Sequence, residues 1–109
     1  MAAAYELKKS GSQFMFNLRG DNNEKVLTSE RYVSKDGAKN GIASCRTNAP
    51  FDVRYDRRTA TNGQPYFVLK AGNGEVIGTS EIYSSKAAME TGIAAVKKHG
   101  PSAPVQDNA

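Results

Sequence analysis

Cys45 and His99 are the residues of this 109-residue chain whose side chains most readily do covalent or acid–base chemistry, and each is the one residue of its type. A cysteine attacks as its thiolate, which needs a lowered pKa and access, and a histidine acts as a base only beside the proton it removes. One cysteine excludes an internal disulfide, and one cysteine with one histidine is too small a set for a zinc site, so no structural metal is expected. The string Gly72-x-Gly74-x-x-x-Gly78 superficially resembles a phosphate-binding loop. A dinucleotide loop, however, leads from a strand into a helix. Here the residues that follow, Val76 to Ser80, have a strand pattern, so the glycines read as a hairpin turn and no cofactor is expected.

Two further sets of residues have the types that binding requires. Ser29-Glu30-x-Tyr32 recurs as Ser80-Glu81-x-Tyr83, which puts the same hydroxyls and carboxylate at two matching places. Such a set can bind a ligand twice over, or it can satisfy backbone groups where a strand gives way to a helix, and the structural reading is preferred. Arg54, Arg57 and Arg58 surround Tyr55, and Lys8 and Lys9 face them if the two opening strands pair. Cations interleaved with aromatics on a sheet can hold single-stranded nucleic acid, the cations on phosphates and the rings on bases. They can equally guard an edge strand that accepts a partner's strand. Asp52 and Asp56 interrupt the run and no RNP string occurs, so a solvated strand is the plainer reading.

An internal duplication positions all these residues. Set against itself at an offset of 51 residues, the chain shows 14 identities over the 35 positions 16–50. They include Phe16/Phe67, Leu18/Leu69, Glu24/Glu75, Tyr32/Tyr83, Gly41/Gly92 and Pro50/Pro101. Each copy begins with a short strand, at Tyr5–Lys9 or around Tyr55, and continues with apolar residues at period two, Phe14, Phe16 and Leu18 or Phe67 and Leu69. Asn22-Asn23 and Asn73-Gly74 tolerate positive φ and predict a tight hairpin into a third strand at Val26–Ser29 or Val76–Ser80. Beyond Tyr32 and Tyr83 the apolar period becomes helical, through Ala38, Gly41, Ile42 and Cys45, and again through Met89, Gly92, Ile93 and Val96. Ser34 and Ser85 are the expected N-caps, and each helix stops before a proline, with Gly100 suited to a left-handed closing residue. Cys45 matches Val96 on the apolar face and reads as a buried small hydrophobe, while His99 falls in a last turn, where its cation complements the helix dipole. Glycine inside a helix costs about 0.5–1 kcal/mol against alanine, so Gly41 and Gly92 imply close contact with the sheet.

The stretches Phe67–Ile77, Ser80–Lys86 and Gly92–Lys98, each echoed in the first copy, resemble the YegP-like family of small bacterial proteins, also called DUF1508 or UPF0339. The likeness runs from Tyr5 to about Pro101. The first copy departs from it at the turn, where Asp21-Asn22-Asn23 replaces Gly72-Asn73-Gly74. The resemblance implies a tandem of β(3)-α-β motifs sharing one sheet, with terminal strands exchanged between the halves. It implies no activity, so no catalytic residue is carried onto this chain.

Composition agrees with one α+β domain: 39% hydrophobic, 24% charged, a formal charge of +4, and no long apolar run or leader-like N-terminus. The expected plan has one copy at about 5–50, a bridging strand at 51–55, a second copy at about 55–101 and a tail at 102–109. Two meanders join in one antiparallel sheet with both helices packed on it. With no convergent catalytic set, the leading expectation is a cytoplasmic, non-enzymatic protein-interaction module using its sheet edge or self-association, monomeric by preference. Weak binding of single-stranded nucleic acid through Arg54–Arg58 is the alternative, and no membrane partner is expected.

Overall fold

The computed structural model describes residues 2–109. Its elements run β1 (Ala4–Ser10), β2 (Gln13–Arg19), β3 (Lys25–Ser29), α1 (Lys35–Asn48), β4 (Tyr55–Thr59), β5 (Pro65–Lys70), β6 (Val76–Thr79), α2 (Lys86–His99) and β7 (Val105–Asn108). Each copy is thus a meander followed by a helix of 14 residues. The hairpins turn as their residues require. Asn23 and Gly74 take positive φ, 66° and 87°, while the amides of Glu24 and Glu75 donate to the side chains of Asn22 and Asn73. The helices start on their serines, with Ser34 and Ser85 Oγ accepting from the amides of Gly37 and Ala88 at 3.0 and 3.1 Å.

The strands form one sheet in the order β4-β5-β6-β3-β2-β1-β7. The meanders join through their third strands, Thr28 opposite Thr79, and every pairing is antiparallel except that of β1 with β7. The sheet is therefore mixed rather than wholly antiparallel. β7, from the expected tail, lies beside the opening strand of the other copy, which is the exchange of a terminal strand. The stretch at 51–55 is not a bridging strand. The Phe51 amide returns to the Asn48 carbonyl and the Arg54 amide to that of Phe51, so Asp52–Arg54 curl into one 3-10 turn and extended chain resumes at Tyr55.

Both helices cover one face, over a core that includes Tyr5, Leu7, Phe16, Leu18, Phe67, Leu69 and Ile93, each at most 1% exposed. Gly100 is not left-handed, its φ being −52°. It is needed for a close approach, because a Cβ there would lie 2.6 Å from that of Ala49 at the end of the other helix. Two tyrosines fasten this junction. Tyr5 Oη donates to the Gly100 carbonyl at 2.5 Å and Tyr55 Oη to the Ala49 carbonyl at 2.7 Å. Arg46 lies over the Tyr5 ring and Lys97 over that of Tyr55. Each opening-strand tyrosine therefore sits under the last-turn cation of its own helix and closes the end of the other copy's helix.

Candidate functional site

The duplicated motif divides by residue. Ser29 Oγ accepts from the Phe16 amide and donates to the Glu30 carbonyl, and Ser80 Oγ makes the same pair with Phe67 and Glu81, all at 2.7–2.9 Å. Tyr32 bridges Phe14 through two backbone bonds, while Tyr83 donates to the carbonyl of Pro65, which has no amide to return. Both rings slide beneath a helix: a Cβ on Gly41 would lie 2.7 Å from Tyr32 Cζ, and one on Gly92 2.6 Å from Tyr83 Cζ. The serines and the tyrosine backbones hold the strand-to-helix corner, and the helical glycines make room for the rings. Glu30 and Glu81 remain exposed. Burial, and after it the negative charge of Glu81 and Glu24, raises the Tyr83 phenol above its ordinary pKa, and Tyr32 is raised by burial, then Glu30, with Glu75 contributing. Each Glu-x-Tyr thus meets a glutamate from the other copy's hairpin. Glu24 and Glu75 were not among the expected site residues, although their identity at the 51-residue offset was a signal for them.

A groove of about 890 Å³ opens between the β2–β3 hairpin and α2. Val26, Ile82, Tyr83 and Ala88 give it an apolar floor, and its charged margin has three carboxylates, Asp21, Glu24 and Glu81, against one ammonium, Lys25. His99 closes one end, with Nε2 3.5 Å from Asp21 Oδ2, so the ring serves a carboxylate rather than a nucleophile. Cys45 is fully buried, and burial pushes its thiol up to about 11.

The basic cluster is dispersed. Four strands separate β1 from β4, so Lys8 and Lys9 do not face Arg54, Arg57 and Arg58; the opening strands lie apart because the copies join through β3 and β6. Tyr55 is 6% exposed in the core and cannot stack on a base. Arg54 Nε donates to Asn48 Oδ1 at 2.9 Å, and Arg57 is held on the helix side by Glu90 and Asp52 at 2.6 and 2.9 Å. Lys9 instead lies over the Phe14 ring.

A sequence profile described as "Domain of unknown function (DUF1508)" matches residues 10–56 and again residues 60–107. The chain belongs to the DUF1508 family. It is 53% identical over 107 residues to the UPF0339 protein of Bordetella pertussis, covering 98% of this chain and 96% of that one, and 50% identical over 109 residues to YegP of Escherichia coli K12, covering 99% of each. The solution structure of E. coli yegP, described as a protein of unknown function, superposes with a TM-score of 0.92 at 50% identity over 99% of this chain and 94% of that one. That of the Shewanella oneidensis UPF0339 protein gives 0.91 at 48% identity over 98% and 92%.

The helix-free face of this DUF1508 sheet carries its own duplication. Gln106, Glu6, Asn17, Thr28, Thr79, Val68 and Asp56 register side by side across the seven strands. Near each end of that row one carboxylate binds two cations: Glu6 takes Lys8 and Arg19 at 3.8 and 3.1 Å, and Asp56 takes Arg58 and Lys70 at 2.9 and 3.3 Å. Arg58, and Lys70 after it, hold Asp56 below the usual carboxylate range. Asn17 is 1% exposed with Oδ1 unbonded, its amide nitrogen donating to Thr28 Oγ1.

Proposed function

We propose that this chain is a non-enzymatic, monomeric, cytoplasmic interaction module that accepts a partner's strand along the outer edge of β7. The difference between its two sheet edges carries the reading. β4 is guarded by Arg57, Arg58 and the 3-10 turn before it, as edge strands that avoid pairing are. β7 reads Val-Gln-Asp-Asn, is exposed throughout and holds no lysine or arginine. The Tyr5 amide donates to the Pro104 carbonyl at 2.8 Å, so by strand alternation the backbone groups of Gln106 address β1 and those of Val105 and Asp107 address solvent. An extended segment added there gains main-chain hydrogen bonds. The sealed Cys45 thiol and the Asp21-paired His99 support a role without covalent chemistry.

The test compares immobilised Asp107→Ala, the reference form that already lacks the Asp107–Lys35 ion pair, with the variant Asp107→Pro, which also removes an outward amide and leaves the pairing with β1 in place. Of the proteins retained from bacterial extract, the partner is the one that the variant loses, and with it purified the amide shifts fall at 105–108. Equal retention by both forms sinks the edge reading, and turnover in a metabolite screen sinks the non-enzymatic one.

A second reading, single-stranded nucleic acid, is favoured by the two cation pairs on the helix-free face with Tyr66 beside Arg58. Anisotropy of a labelled oligonucleotide decides it, since phosphate contacts weaken steeply with salt. Binding that persists near physiological salt and falls in Arg58→Ala/Lys70→Ala supports it, and binding seen only at low salt removes it.

A further inference from the structure

The two copies close the space between hairpin and helix differently. Asn48 and Gly72 occupy in one place the positions that His99 and Asp21 occupy in the other. Where Gly72 leaves room, the Arg54 guanidinium enters: its Nε bonds Asn48 Oδ1 at 2.9 Å and its terminal nitrogen lies 3.4 Å from where a Cβ of Gly72 would be. The residue matching Arg54 is Val105, which lines a separate hollow with Ile42 and Arg46 instead. The groove beside α2 therefore lacks the arginine that its twin receives from the chain itself, and the chain's own groups reach only its Asp21 end, where Lys98 Nζ and His99 Nε2 lie 4.0 and 3.5 Å from Asp21 Oδ2. It also has more negative charge to offer, because Asp21 stands where the twin has a bare glycine, alongside Glu24 and Glu81.

We propose that the groove between the β2–β3 hairpin and α2 takes an arginine side chain presented by a basic segment of a partner protein. The guanidinium enters between Asp21, Glu24 and Glu81, where charge-assisted and bidentate bonds are strongest, and its aliphatic stem lies on Tyr83 and on Ile82, which is 54% exposed. A chain of net charge +4 repels basic peptides in general, so the attraction has to be local. The site is distinct from the β7 edge and does not depend on it.

The experiment titrates the isotope-labelled full chain with acetyl-Gly-Leu-Arg-Leu-Gly-amide near 0.15 M salt and with the same peptide carrying citrulline, the neutral isostere. The arginine peptide shifts the amides of Asn22–Lys25, Glu81–Tyr83 and Thr91–Ala95, and citrulline weakens binding about tenfold or more. Glu24→Gln and Glu81→Gln each weaken it, both positions being exposed and tolerant, whereas Glu30→Gln and Glu75→Gln at the twin do not. Asp107→Pro leaves it unchanged, which separates this surface from the edge. Equal binding of the citrulline peptide, shifts that fall outside the groove, or no shifts at about millimolar peptide overturn the proposal.

Discussion

A buried phenol needs an acceptor and a buried helix end needs a donor, and Tyr5 and Tyr55 satisfy both needs at once. Burial drives both phenols above their ordinary pKa. Tyr5→Phe keeps the ring and orphans the Gly100 carbonyl, and Tyr55→Phe does the same to Ala49. Each is expected to cost about 1–2 kcal/mol, read as a lowered urea midpoint at unchanged slope. Two variants as stable as wild type would mean that water serves those carbonyls. The sequence marked both tyrosines as strand residues and could not name their partners, because the Tyr5 bond spans 95 positions and no local pattern encodes such a pairing. Cys45 was legible by contrast, since it continues the helical period of Ala38, Gly41 and Ile42 and meets Val96 at the 51-residue offset.

Most elements with local signals were read from the residues, the strand expected at 51–55 and the left-handed Gly100 being the exceptions, and elements whose pairing is remote were not. The caps at Ser34 and Ser85 and the turns at Asn23 and Gly74 follow from neighbours in sequence. The union of β3 with β6, and the distance it puts between Lys8 and Arg58, does not, because all the strands have similar patterns. Helix α2 has two fastenings that mutations can separate. Alanine is the better helix former by about 0.5–1 kcal/mol, yet Gly92→Ala drives a methyl into the Tyr83 ring, and overpacking of about 1–3 kcal/mol wins. The loss in Gly92→Ala/Tyr83→Leu should be smaller than the sum of the single losses, and additivity would refute the contact. The other fastening ties α2 to β4: Arg57 and then Lys97 hold Asp52 down at about 2, and Arg57 holds Glu90 below its ordinary value. A carboxylate depressed in the folded state adds stability above its unfolded pKa of about 3.9, and that stability is lost as pH falls towards the folded value. Melting temperature should therefore drop between about pH 4 and pH 2 in wild type and drop less in Arg57→Ala. Parallel curves would show that the ion pairs contribute nothing.

At the scale of the whole molecule, the duplication was plain in the sequence, and its consequence is that neither copy is complete. The first copy ends on Ala49, whose carbonyl waits for Tyr55, and its β1 and β3 lie open without β7 and β6. The second copy ends on Gly100, which waits for Tyr5, and its β7 has no neighbour without β1. A unit of about 50 residues buries too small a share of its surface to offset its chain entropy. Residues 1–50 and 51–109, made separately, should each show the circular dichroism of a largely unfolded chain. Mixed in equal amounts they should recover the native spectrum, with a midpoint that rises with concentration because association has replaced a covalent link. The intact chain should unfold in one urea transition seen alike by tyrosine fluorescence and by dichroism. A cooperative melt from residues 1–50 alone would show that one copy folds unaided, and the reciprocal tyrosine closure would then be a contact between finished units rather than the condition for either.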